Sequence, residues 1–465
     1  MVGAGRQGHL RPQRPLRSLK SLIDGGSEND RFQPAGLRSF LTPRVIALTD
    51  KPILDLIIKN AAQVLTCAEG SPDGIGLAAG LDIGLKDGTI AGLAKSEDMA
   101  AAYDLRRAEI IDASGKTVLP GFVDCHTHLV FGGSRIDEYS ASLEGLSREE
   151  MAARGIKTGL AASTESTRRA TDRELTDQAL ARLGNMLSHG TTTAEIKSGY
   201  GLNTETELRQ LRVIRQLQGL QPVTLHPTFL GGHAWPPDMD KSRYINLLLE
   251  EMIPRAAEEN LAEFCDIWCD DGYYTADECR MVLTRAREFG LSPKIHTEAY
   301  SLIGGGELAA EMKMVSADHL NYAPESVLRK LAEAGVIGVL LPGTDFCVNH
   351  PRPFQYAPMR AAGLKAALAT NLNPGCWIES LRTIMILACR RHGMTPAEAV
   401  VAATRHGAAA LGVEHLVGSL SPGKTADLQI WDTDDYRTAF YQLDREPMLT
   451  VLKSGRTVFS RPSGS

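Results

Sequence analysis

Leu119-Pro-Gly-Phe-Val-Asp-Cys-His-Thr-His-Leu-Val130 is the stretch whose reading decides the fold. A Pro-Gly turn signal opens it, Phe122 and Val123 carry it as an apolar strand, and it ends on two histidines one residue apart. A strand sends alternate side chains to one face. Asp124, His126 and His128 therefore share a face, with the two imidazoles about 7 Å apart along the strand and within reach of one metal ion. An isolated His-x-His also suits a pair of polar residues where a strand leaves a core. Its place here, after a turn and at the end of an apolar strand, reads as a metal site.

Working outward, residues 119–412 alternate between strand and helix patterns. Strand candidates are 119–126, 191–197, 223–230, 264–269, 294–297, 315–319, 336–341 and 366–370. Between them lie apolar periodicities of helical type at 172–187, 205–217, 243–258 and 276–289, with further helices expected over 379–392 and 396–411. Eight strands with helical crossovers make a (β/α)8 TIM-like barrel. A doubly wound sheet would show a Gly-rich phosphate turn after its first strand, and none is present. The flanks, 46–118 and 413–465, read as short strands and turns, such as Leu54–Asn60 and Val451–Phe459. Two β-rich chain ends suit a small composite β-sandwich domain, because termini are often neighbours in space. Residues 1–45 carry five basic residues before the first acid, Asp24, and no apolar core; a disordered basic extension is expected there.

The bulk numbers are those of an ordinary soluble protein. A chain of 465 residues, 43% hydrophobic, can fill a large core. A net charge of −6 gives no bulk attraction to nucleic acid, and no apolar run is long enough for a membrane span. Eight cysteines without a Cys-x-x-Cys pair suit reduced thiols in a cytoplasm.

In a barrel the reactive groups gather where strands end. The first strand ends at His126 and His128, the third runs into His233, the fifth ends at His296 and the sixth at His319. Buried imidazoles cost desolvation and need partners, so packing alone does not explain four strands each delivering one. Three imidazoles with an open coordination position make a hydrolytic metal site, and neutral imidazole suits zinc or iron(II). A histidine outside that set can steady an oxyanion or pass a proton. No lysine at a strand end stands out as a carbamate bridge, so one divalent ion is expected.

Taken in order, these motifs resemble the amidohydrolase superfamily and, more closely, its imidazolonepropionase family, over about residues 50–460. The closer likeness rests on Phe131-Gly-Gly-Ser-Arg135, Thr191–Gly201, Thr228–His233, Ser316–Leu320 and Asn373-Pro-Gly375. The resemblance implies a metal-dependent barrel with a sandwich built from both ends. It also implies hydrolysis of the cyclic amide of 4-imidazolone-5-propanoate to N-formimidoyl-L-glutamate in histidine degradation. His126, His128 and His296 would ligate the metal, and His319 would lie beside the scissile carbonyl. Arg135, Tyr200 and His233 would hold the substrate, and Asn373 and Gly375 the opened product. The partner implied is a small molecule, and the family admits a homodimer.

Three positions depart from the family pattern. Asn371 stands where the eighth strand carries an aspartate that ligates the metal and accepts a proton. Ala299, beside Glu298, replaces a substrate-contacting Glu or Gln, and Cys376 replaces a small hydroxyl residue. Asn can offer a carbonyl oxygen but cannot take up a proton near neutral pH. Either Glu298 or His319 takes over the proton work, or the barrel binds and turns over poorly. A related deaminase or other cyclic-amide hydrolase is the remaining enzymatic reading; it would need no Arg135 clamp.

Overall fold

At Gly121 the chain passes from one sheet to another. The computed structural model describes residues 51–462, and the expected extension over 1–45 lies outside the described residues. Thr117–Pro120 runs antiparallel to Leu428–Trp431 in a six-stranded sheet. One residue later, Phe122–Asp124 (β1) pairs in parallel with Thr191–Lys197 (β2). A Cβ at Gly121 would sit 2.3 Å from Thr192 Oγ1, so only glycine lets the backbone pass. The single strand expected over 119–126 is thus divided, and His126 and His128 lie just beyond the end of β1.

The barrel continues through Thr224–Gly232 (β3), Phe264–Cys269 (β4), Ile295–Thr297 (β5), Ser316–His319 (β6), Ile337–Leu340 (β7) and Ala366–Leu368 (β8). Neighbours from β1 to β8 are paired in parallel in chain order, the (β/α)8 arrangement expected. The seam between β8 and β1 is closed by a side chain. Asp124 Oδ1 accepts from the Thr370 N–H at 3.1 Å, and Oδ2 from the Thr370 hydroxyl at 2.6 Å. Just beyond, the Asn371 N–H donates to the His126 carbonyl at 3.0 Å and the His128 N–H to the Leu372 carbonyl at 2.9 Å. The backbones carrying these three polar side chains are therefore bonded to one another.

Two further sheets come from both chain ends. The four-stranded one holds Thr89–Ala94, Asp82–Lys86, Leu56–Lys59 and Glu109–Asp112; the six-stranded one joins Gln63–Leu65 and Leu77–Ala78 to Thr117–Pro120 and to the C-terminal strands Leu428–Trp431, Met448–Lys453 and Arg456–Ser460. Leu56, Ile58, Ile83, Val118, Leu428 and Leu452 share one buried core between them.

Helices Asp172–Ser188, Ala276–Glu288 and Pro396–Ala402 each begin on Thr-x-x-Glu. The Thr hydroxyl accepts from the Glu N–H and the Glu carboxylate accepts from the Thr N–H, satisfying two otherwise orphaned donors. The helix expected over 396–411 is broken. Its second part is Arg405–Ala409, and the break frees the Ala403 carbonyl to accept from the Val123 N–H of β1 at 2.9 Å. Among the described residues no helix is long and apolar enough to cross a membrane.

Replacing Asp124 with Ala would strand two buried donors of Thr370. A loss of about 2–5 kcal/mol in unfolding free energy is expected from denaturant titration. A loss under about 0.5 kcal/mol would mean the barrel closes without this carboxylate.

Candidate metal centre and active site

The three histidines converge. Ring centroids lie 4.6 Å apart for His126 and His296, 5.3 Å for His126 and His128, and 5.6 Å for His128 and His296. One ring nitrogen of each lies within 4.8 Å of the others, a spacing that can hold one metal ion. His126 Nε2 and His296 Nε2 are buried without a hydrogen-bond partner, and so is Asn371 Oδ1. Buried acceptors are rarely left so, and several together fit a cation-binding site. Burial, reinforced by the Lys197 charge, holds His126 well below its usual pKa; burial and His233 do the same for His128. Both rings are neutral, the form that ligates metal.

Carboxylates beneath the rings set which nitrogen faces the centre. His126 Nδ1 lies 2.6 Å from Asp318 Oδ2, and His296 Nδ1 lies 2.9 Å from Asp266 Oδ2. His126 Nδ1 donates to its carboxylate, which leaves Nε2 as the ligand atom, while His296 Nδ1 packs against Asp266 at ion-pair distance. Both acids meet Lys197: its Nζ is 2.8 Å from Asp266 Oδ2 and 3.7 Å from Asp318 Oδ2. Lys197 also lies 2.9 Å from Glu195 Oε1, which Lys294 approaches equally closely. All five side chains are fully buried. Burial alone would raise the Asp266 carboxyl, but His296 and Lys197 hold it well below the usual carboxylate range. Burial would likewise lower Lys197, but Asp266, Glu195 and Asp318 keep it above its ordinary value.

Strand-end reading reached Asp318, and Lys197 and Lys294 only as near candidates for a carbamate bridge, and did not see the layer they form with Glu195 and Asp266. Its signal is charge at alternate positions inside apolar strands: Glu195 and Lys197 in β2, Asp266 in β4, and Lys294, two residues before His296 and on its face. Glu207 was also missed. Its carboxylate accepts from the N–H groups of Gly199, Gly201 and Leu202 at 2.7–2.8 Å and so shapes the loop carrying Tyr200.

The other expected residues divide. His233 stacks on His128 at 4.9 Å and 16°, its Nδ1 donating to the Gly199 carbonyl at 3.1 Å. Tyr200 lies 5.7 Å from the His128 ring and 5.5 Å from that of His233. His319 sits 5.4 Å from His296, on a left-handed backbone at φ 83°. His233 and His319 keep 7% and 8% exposure against 0% for His126, which puts them at the mouth. Asn371, also left-handed at φ 49°, donates Nδ2 to Thr344 Oγ1 at 2.8 Å, leaving Oδ1 as the unpartnered acceptor.

Arg135 forks Glu138 through Nε and Nη2, both at 2.6 Å. Its Nη1 occupies the space a Cβ at Gly375 would need, 2.6 Å away, so that glycine admits the guanidinium. Asn373 is spent on its own turn: Oδ1 accepts from the Gly375 and Cys376 N–H groups at 2.7 and 3.0 Å, and Nδ2 donates to the Asn371 carbonyl at 2.7 Å. Cys376 is buried, its Sγ 3.8 Å from the Thr370 carbonyl, and Ala299 is buried too. Glu298 goes elsewhere. Its Oε1 accepts from the Gly306 N–H at 3.0 Å, capping helix Gly305–Met312, where a carboxylate meets the helix dipole. Burial raises its carboxyl to about 7.

Known proteins agree with this architecture. Residues 117–458 match the Amidohydrolase family. The imidazolonepropionase of Geobacillus kaustophilus (strain HTA426) is 41% identical over 416 residues, covering 87% of this chain and 97% of the relative. That of Clostridium tetani (strain Massachusetts / E88) is 40% identical over 417 residues, covering 88% and 99%. Among solved structures, a triazine hydrolase variant (TM-score 0.66, 15% identity, 88% and 96% covered) and 5-methylcytosine deaminase from Klebsiella pneumoniae (TM-score 0.65, 18% identity, 88% and 98% covered) share the fold.

Burial and neighbouring His296 push His233 down to about 3, whereas an unfolded histidine takes up its proton near pH 6.5. The stability this ring contributes is therefore complete above about 6.5 and lost as pH falls through about 3. Between about pH 6 and 4, metal-free protein should lose up to about 1.4 kcal/mol per pH unit more than its His233→Gln variant. Denaturant unfolding across that range reads the difference; parallel curves would mean that His233 protonates normally in the fold.

Proposed function

The chain belongs to the amidohydrolase family and, within it, to the imidazolonepropionases, and from that premise we infer that it opens the ring of 4-imidazolone-5-propanoate by hydrolysis, giving N-formimidoyl-L-glutamate in histidine degradation. The observation that carries the reading is the convergence of His126, His128 and His296 with unpartnered nitrogens beside Tyr200 and His233. We assign His126, His128 and His296, with the Asn371 carbonyl oxygen, to one divalent ion, zinc or iron(II). When bound, that ion supplies Lewis-acid polarisation of the ring carbonyl and activation of water.

The chain's own residues do the rest. Arg135 keeps Nη1 and part of Nη2 for the substrate's carboxylate, with Glu138 fixing the guanidinium plane. Tyr200 and His233 flank the ring, and the His233 Nδ1 bond to Gly199 leaves Nε2 as an acceptor for a ring N–H. The turn built by Asn373 sets Gly375 against Arg135. His319 donates to the scissile carbonyl oxygen as negative charge develops there. The proton work also falls to His319, because Glu298 is engaged with a helix end and Asn371 holds no charge. Burial and neighbouring His296 make His319 a weak base, so turnover is slower than a carboxylate would allow. A cytoplasmic setting accords with the reduced thiols.

Metal-loaded protein should consume 4-imidazolone-5-propanoate and release formimidoylglutamate, followed by loss of ring absorbance; binding without turnover would refute the reading. Asn371→Asp should raise kcat at least about tenfold with little change in KM, since general-base catalysis contributes ~10²–10⁴-fold. A flat or lower kcat would place the proton acceptor elsewhere. Arg135→Gln should raise KM about tenfold or more, the scale of a charge-assisted bond; an unchanged KM would point to a substrate without a carboxylate.

A further inference from the structure

Beside the three-histidine site lies a second set of donors: one oxygen each of Asp266 and Asp318 and a ring nitrogen of His296, all within 4.8 Å of one another. Two hard oxygens and an imidazole nitrogen are a combination that small divalent cations accept. Here the Lys197 ammonium lies against those oxygens, 2.8 Å from Asp266 Oδ2 and 3.7 Å from Asp318 Oδ2. We propose that Lys197 is a built-in second cation, which fills the Asp266–His296–Asp318 set and thereby limits the barrel to one divalent ion.

The charges of the buried layer support this. Three carboxylates, Glu195, Asp266 and Asp318, face two ammoniums, Lys197 and Lys294, with no exposure to water. Lys294 serves Glu195 at 2.9 Å and donates to the Cys125 carbonyl at 3.3 Å. Among the described residues, Lys197 is the one lysine or arginine that pairs with both aspartates. An uncompensated carboxylate in a dry core is strongly destabilising, so without Lys197 the aspartates would demand another cation. A mobile dication there would draw His296 Nδ1, which lies 2.9 Å from Asp266 Oδ2, and compete with the first site for the ring. A tethered ammonium supplies the charge without taking the ring, because an ammonium donates hydrogen bonds and cannot accept His296 as a ligand.

This inference rests on the single-ion reading above, and metal counting separates the two. Metal-free wild type and Lys197→Met would be dialysed against Zn²⁺ or Co²⁺, and bound metal per chain measured by mass spectrometry alongside thermal unfolding. Wild type and the charge-preserving Lys197→Arg should each bind one ion. Lys197→Met should bind two, with Tm rising further as the second is taken up. If Lys197→Met folds only poorly without metal, Zn²⁺ during refolding should restore it with two ions bound. A folded Lys197→Met holding one ion, a Zn²⁺-insensitive failure to fold, or two ions in wild type would overturn the inference while leaving a metal-binding barrel. No ion in wild type would overturn the metal reading itself.

Discussion

Two carboxylates that never meet water decide which way two imidazoles point. Asp318 accepts a hydrogen bond from His126 Nδ1, so that ring presents Nε2 to the barrel mouth, and Asp266 Oδ2 lies 2.9 Å from His296 Nδ1. Their own ionisation depends on Lys197, without which two negative charges in a dry core would take up protons or force the strands apart. The acids stand on β6 and β4 and the lysine on β2, so the constraint spans half the barrel. Asp124 adds the other half by clasping Thr370 across the seam, which registers His126 and His128 against Asn371.

Asn371 shows how a site keeps its geometry while changing its chemistry. The side chain has the shape of an aspartate, its backbone takes the left-handed conformation that Asn tolerates well, and Thr344 orients the amide so that oxygen is left for the ion. What is lost is a charge and a proton acceptor. Glu298 stands nearby in sequence, but its carboxylate faces the start of helix Gly305–Met312, where Oε1 accepts from the Gly306 N–H. That leaves His319, kept neutral by burial, with two tasks.

The barrel and the histidine cluster were legible because both rest on local pattern. Strand runs ending in His at four places are visible in one dimension, and the eight observed strands fall within or beside the expected ranges. The break at Gly121 was not legible, since it depends on Thr192 arriving from another strand. Glu298 misled for a similar reason: sequence places it two residues from His296, and a positive φ of 54° turns its side chain to the outer helices. Asn373 reads as a product contact by resemblance, whereas its side chain builds the turn that brings Gly375 against Arg135. The charged layer was legible only in part: Lys197 ends β2 and, with Lys294, was weighed as a metal-bridging lysine, but Glu195 and Asp266 lie mid-strand, so their pairing with those lysines was not seen.

The central claim is that His126, His128 and His296 grip one ion through nitrogen. X-ray absorption at the zinc edge of zinc-loaded protein tests it directly. The account predicts three imidazole nitrogens at about 2.0–2.1 Å, with the remaining ligands oxygen. Sulfur ligands near about 2.3 Å, or fewer than three imidazoles, would contradict it.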